Sequence, residues 1–219
     1  YQTSPFGIVS LVDGANIQQP KDMIGKRIGL TSLPIDQLQF NAMIEKAGIK
    51  RSQIEVVNPG FSGGDLVGQR KLDGASGVPW YEIDGLKSVN LKPTMMLYRD
   101  HLGLEFPFLS LIVNAKYAQD HGDTIKAYLR AVKKGAEYTK ANPDEALDIL
   151  LKTVPSLDRK RQAVAMQTVA PLRESPATAA NGAGYVDVPQ IQKLADFLLE
   201  RGALKTKLDA SATFTNQYR

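Results

Sequence analysis

The chain has 219 residues, 43% hydrophobic and 23% charged, which is the balance of a globular protein with one large domain or two small ones. With no cysteine, it can form no disulfide, carry out no thiolate catalysis and build no cysteine-ligated zinc site; no apolar run approaches the roughly 18 residues a membrane-spanning helix needs. The formal charge of +4 is dispersed among acids, and the densest basic run, Arg159-Lys160-Arg161, reads as a solvated helix face or a docking patch, so no nucleic-acid partner is expected.

The opening Tyr1-Gln2-Thr3-Ser4-Pro5 lacks the basic and apolar regions of a signal peptide. Phe6 to Val12 is an apolar run suited to a buried strand, ended by Asp13-Gly14. Pro20 to Lys26 suggests a helical turn closed by glycine, and Arg27 to Leu30 a second short strand. An amphipathic helix is predicted from about Ile35 to Ala47, with Phe40, Met43, Ile44 and Ala47 on one face and Gly48 at the stop position. Ile54 to Val57 reads as a third strand. Ser62-Gly63-Gly64-Asp65 has capping-box spacing before a brief helix through Gln69. Asp73 to Val78 suits a fourth strand and Trp80 to Leu86 a helical segment. Strand and helix in alternation imply a parallel sheet, so about Lys26 to Lys87 is expected to be a small α/β lobe.

Thr94 to Tyr98 and Phe106 to Val113 are further strand candidates. From Ala115 the pattern turns helical: Ile125, Leu129, Val132 and Ala136 share one face. Asn142-Pro143-Asp144-Glu145 has the residues of a helix start. Ser156 to about Leu172 is predicted as another helix, Ser175 to Gly184 as a low-complexity loop, and the segment after Asp187-Val188-Pro189 as a last helix, with Ile191, Leu194, Ala195 and Leu198 inward and Gly202 ending it. These later helices have few strands to cover. An exposed apolar surface, or one buried against a partner chain, is therefore expected on this half.

Several of these segments match a known pattern. Pro20-Lys21-Asp22-Met23-Ile24-Gly25-Lys26-Arg27-Ile28-Gly29 resembles the entry to the second lobe of type II substrate-binding proteins. Lys46-Ala47-Gly48-Ile49, Val56-Val57-Asn58 and Leu72-Asp73-Gly74-Ala75 are similar to that lobe's order of helix end, strand and strand. Leu111-Ile112-Val113-Asn114 and Asn142-Pro143-Asp144-Glu145-Ala146 resemble the return into the first lobe. Tyr185-Val186-Asp187, Ala195-Asp196-Phe197-Leu198, Gly202 and Phe214-Thr215-Asn216-Gln217-Tyr218 look like the tail of the NMT1/THI5-like branch. The resemblance implies an α/β, type II periplasmic-binding-protein-like fold of two lobes with parallel or mixed sheets, the first lobe incomplete. It divides the chain into 1–19 (first-lobe end and hinge), 20–92 (second lobe) and 93–219 (hinge return and helical part of the first lobe).

The resemblance further implies a periplasmic or extracytoplasmic receptor that carries a small molecule, such as a thiamine pyrimidine precursor, another heterocycle or an organic anion, to an ABC transporter permease by hinge closure. No cofactor or metal is expected, and self-association through the incomplete lobe is a further expectation. A ligand-sensing regulatory domain or an enzyme of the same fold is the alternative. Against the enzyme, desulfinase relatives need a nucleophilic cysteine, pyrimidine-synthase relatives a reactive histidine and a cysteine-rich motif, and hydrolases a G-x-S-x-G or H-E-x-x-H motif, none of which is present. His101 and His121 stand far apart without carboxylates at triad or metal spacing.

In the family the ligand meets loops at the carboxyl ends of strands, where backbone N–H groups are free and helix dipoles favour anions. Thr31 and Ser32 can offer hydroxyls there, although Ser32 serves equally as a helix cap. Pro59 to Gly64 permits close backbone approach, with Phe61 able to lie against a ring. Trp80 and Tyr81 stand beside Glu82 and Asp84, similar to the aromatic-plus-acid stretch of thiamine-precursor receptors, in which either acid can accept from an exocyclic amine. The resemblance also places Ser4 at the hinge entry of the family, where it can touch ligand.

Overall fold

The computed structural model describes residues 3–104, 106–107 and 109–219, so Tyr1, Gln2 and Phe108, named above, lie outside the described residues. Five strands, Gly7–Leu11 (β1), Arg27–Gly29 (β2), Glu55–Val57 (β3), Gly74–Gly77 (β4) and Pro93–Leu97 (β5), form one sheet in the order β3-β2-β4-β1-β5. β2 runs parallel to β3 and β4, and β1 is antiparallel to β4 and β5. Four strands therefore point one way and β1 the other. Within 26–87 the strands β2, β3 and β4 are parallel, as expected, and the sheet becomes mixed because it also takes in β1 and β5 from either side of the segment 20–92.

β1 sits between two neighbours and is buried along its whole length, which is why it reads as a continuous apolar run instead of an alternating one. Val9 and Leu11 pack with Val67, Leu72, Ala75 and Leu86 in one core cluster. Ile8 and Ser10 point to the opposite face by the two-residue period of a strand, and the Ser10 hydroxyl accepts the Ile17 N–H at 2.9 Å.

Crossover helices fill the connections as the sequence implies. Pro34–Lys46 (α1) buries Phe40, Met43 and Ile44, and Gly48 ends it with a φ of +71°, the left-handed region that glycine enters without a Cβ penalty. Gly63–Gly68 (α2) and Pro79–Ser88 (α3) follow β3 and β4, and the short Arg99–Leu102 (α4) follows β5. Ser62 is the N-cap of α2, yet its hydroxyl makes no capping bond; the expected capping box does not form.

The chain divides into two units. One holds Ser4–Leu104 and Gln167–Val169; the other holds the remaining helices. In the second unit Ala115–Asp120 (α5), Gly122–Ala141 (α6), Pro143–Thr153 (α7), Arg159–Val169 (α8, up to Met166), Pro176–Asn181 (α9), Val188–Glu200 (α10) and Ala210–Thr213 (α11) succeed one another. Three expectations are corrected there. The helix predicted from Ser156 starts at Arg159, because the Asp158 carboxylate accepts the Arg161 N–H and sets the cap. The loop predicted over Ser175 to Gly184 contains α9: Ser175 caps the Thr178 N–H, Thr178 returns the bond, and Pro176 takes the first helical position. The described residues of Phe106 to Val113 form no strand. A strand requires a ladder partner, and every strand among the described residues belongs to the other unit. Leu109, Leu111 and Val113 are exposed, and Ile112 is 95% exposed.

The tail motif has a visible role. The Asn216 amide exchanges two hydrogen bonds with the Val186 backbone, each 2.9 Å, as a neighbouring strand would. The Tyr218 hydroxyl donates to the Ala118 carbonyl, and Arg219 donates to the Asn181 and Gly182 carbonyls while lying over the Tyr185 ring. Among the described residues no helix is long and apolar enough to cross a membrane.

Candidate functional site

Because four strands point one way and β1 the other, the carboxyl ends of β2, β3, β4 and β5 share one sheet edge with the amino end of β1. That edge collects Ser4, Thr31 and Ser32, Asn58 to Phe61, Val78 to Tyr81, and Tyr98. The register thus gathers every segment singled out from the sequence. Within it the side chains differ sharply in access: Phe61 is 76% exposed and Tyr81 53%, Trp80 is half-buried, and Ser4, Thr31, Glu82 and Asp84 are buried.

Ser32 does not cap α1. The capping position falls to Leu33, ahead of Pro34, and the Ser32 hydroxyl instead accepts from the Asn58 side-chain amide at 2.7 Å. Asn58 Oδ1 in turn accepts the Gly60 N–H at 3.0 Å, so one amide shapes the turn after β3 and ties it to the loop after β2. The Asn-Pro-Gly triplet is a turn signal in the sequence; its bond to Ser32 is visible only in three dimensions.

Glu82 turns back on its own helix. Its Oε2 accepts the Val78 N–H at 2.8 Å, satisfying a donor at the start of α3 and placing negative charge at the positive end of the helix. The carboxylate lies so close over Gly77 that any side chain there would collide with it, and Gly64 leaves room on the other side. Pro79 at the first helical position and this back-bond together hold Trp80 and Tyr81 at the edge.

Beneath the edge lies a polar cluster not foreseen from the sequence. Asp36, on the first turn of α1, is 0% exposed. Its Oδ2 accepts the Thr31 hydroxyl at 2.6 Å and the Ser76 hydroxyl at 2.5 Å, and its Oδ1 accepts the Tyr98 hydroxyl at 3.1 Å. Burial pushes the Asp36 carboxyl above its usual 3.8, against the opposing pull of the Ser76, Thr31 and Tyr98 hydroxyls. Tyr98, wholly buried and beside that carboxyl, is pushed well above 10.0.

A pH dependence follows. A folded chain that holds this proton to higher pH than the unfolded chain gains its full contribution below about pH 3.8 and loses it as pH rises through the raised value. The melting temperature of the native protein minus that of Asp36→Asn is therefore expected to fall from acid toward neutral pH. A flat or rising difference in paired thermal melts would exclude the raised value.

In the helical unit, a surface hollow of about 430 Å³ is lined by Gln192, Asp196, Lys207, Leu208 and Asp209. The Gln192 amide is spent on Asp196, the Leu208 carbonyl and the Ala210 N–H, which makes the hollow a capped helix junction. His121 stacks on Tyr117 at 4.1 Å, and among the described residues no group of acids and histidines could hold a metal ion.

Comparison with known proteins agrees with this architecture. The chain is 29% identical over 149 residues to the formylaminopyrimidine-binding protein of Halalkalibacterium halodurans, covering 68% of this chain and 45% of that protein. It is 25% identical over 180 residues to a riboflavin-binding protein of Chloroflexus aurantiacus, covering 81% of this chain and 51% of that protein. The chain thus spans about half the length of the curated relatives it matches. The periplasmic aliphatic sulphonate binding protein of Escherichia coli superposes with a TM-score of 0.67 at 14% identity, covering 97% of this chain and 65% of that one, so the two share the periplasmic-binding-protein fold. The family described as NMT1/THI5 like matches residues 1–146, two thirds of the sequence, and the chain belongs to that family.

Proposed function

We propose that the protein is an extracytoplasmic solute receptor that binds a small nitrogen-containing ring, of the aminopyrimidine kind, and passes it unchanged to an ABC importer permease. The observation that carries this reading is the gathering of Thr31, Ser32, Phe61, Trp80 and Tyr81 at one sheet edge. Exposed aromatic surface beside hydroxyls and an amide suits a flat polar heterocycle, since rings stack on rings while a few directional bonds fix orientation. Support also comes from the two curated relatives, whose names specify a formylaminopyrimidine and riboflavin, both nitrogen heterocycles. The sulphonate-binding neighbour supports the fold only.

The test is titration calorimetry of the protein with formylaminopyrimidine, riboflavin and taurine in parallel. Binding of the pyrimidine with no uptake of taurine is the expected result. Tight taurine binding without pyrimidine binding would move the receptor to a sulfonate class.

A further inference from the structure

Asp36 cannot meet a ligand, yet it reaches three elements of the candidate edge. Its side-chain hydrogen-bond partners are hydroxyls: Thr31 from the loop after β2, Ser76 from β4 and Tyr98 from the end of β5. Among the described residues no cation pairs with it. A buried carboxyl held only by neutral partners is an expensive group to keep in a fold.

The cluster has a direction. Ser76 donates its hydroxyl hydrogen to Asp36, and the same oxygen accepts the Thr31 N–H at 3.0 Å. Thr31 is therefore gripped twice, by its backbone through Ser76 and by its side chain directly. The Thr31 hydroxyl oxygen also receives the Leu33 N–H at 3.4 Å, which carries the grip to the entrance of α1. Ser32 is exposed between these anchored neighbours and is tied sideways to Asn58. Order thus passes from Asp36 through Thr31 to both loops that offer polar groups at the edge.

We infer that Asp36 is the positioning residue of the ligand site: it holds the loop 30–34 against β4 through Thr31 and Ser76, so that the loop presents its polar groups in one arrangement before ligand arrives. The inference rests on the ligand site proposed above. Pre-ordering of this kind strengthens binding by removing the cost of ordering the loop at the moment of association.

Two readouts on the intact protein separate the tether from the ligand assignment. The first is amide-hydrogen exchange at Thr31 in ligand-free protein. Removing this acceptor leaves buried hydroxyl donors unsatisfied, which should speed local opening on the order of tenfold to a hundredfold. Asp36→Asn and Thr31→Val are expected to show this at the Thr31 N–H while amides of β1 keep native protection. Thr31→Ser, which retains the hydroxyl, is expected to exchange as the native protein does. The second readout is affinity for formylaminopyrimidine, expected to fall about tenfold or more in Asp36→Asn and Thr31→Val and to be restored in Thr31→Ser.

An unchanged Thr31 amide in Asp36→Asn overturns the inference, as does a loosened amide with unchanged affinity. If the native protein takes up no pyrimidine, the ligand assignment falls by itself; exchange at Thr31 then decides the tether, with affinity read on whichever of riboflavin or taurine is bound. Should Asp36→Asn fail to fold, Ser76→Ala removes the relay alone and faces the same two criteria.

Discussion

Phe40→Ala is expected to cost about 3–5 kcal/mol of stability, the range for deleting a fully buried aromatic from a packed core. Phe40 has no exposed surface. Its ring meets Tyr98 edge-on, with centroids 6.3 Å apart at 69°, and the Arg51 guanidinium covers its face at 5.3 Å. Truncation removes the ring's own burial, the edge contact and the cation's platform together, and α1 cannot collapse into the gap because Asp36 pins its first turn to the sheet. The measurement is urea unfolding followed by Trp80 fluorescence. Trp80 is the chain's single tryptophan and lies in the same unit as Phe40, so the signal reports that unit. A shift in midpoint at constant slope is expected. A loss below about 1 kcal/mol would show that this face of α1 is loosely packed.

Trp80→Ala is expected to weaken aminopyrimidine binding by about tenfold to somewhat over a hundredfold, corresponding to about 1–3 kcal/mol for one stacked aromatic. Trp80 is the second residue of α3, half-buried, and held at the edge by Pro79 ahead of it and by the Glu82 back-bond to Val78. Trp80→Phe keeps a ring face and should retain most of the affinity. Phe61→Ala is the necessary companion, because Phe61 is the more exposed ring at the same edge. Native affinity in Trp80→Ala combined with loss in Phe61→Ala would transfer the stacking role to the loop after β3. Native affinity in both would remove the edge from consideration as the ligand platform.

Much of this architecture is legible in the sequence, and the reason is that its signals are local. The run from Phe6 to Val12 announces a strand buried on both faces, since only such a strand tolerates apolar residues without alternation. Phe40, Met43 and Ile44 followed by Gly48 announce a helix and its end within one short window. The candidate loops are legible for the same reason, because turn residues mark where strands stop, and the ends of parallel strands lie together once the sheet forms.

Pairing is not local, and there the tertiary structure alone decided. Phe106 to Val113 has a strand's composition, but composition supplies no ladder partner, and its described residues remain outside any sheet. Ser32 has the chemistry of a helix cap, yet Asn58, brought alongside by the β2–β3 pairing, takes its hydroxyl. Asp36 looks like an ordinary acid in the first turn of a helix, where the dipole welcomes one. It became the centre of a buried cluster because the fold brings Ser76 and Tyr98, 40 and 62 positions away along the chain, within hydrogen-bond reach of it. The sequence determined which segments become strands, helices and turns; the sheet register determined which of their polar groups meet, since that depends on contacts between residues no local window contains.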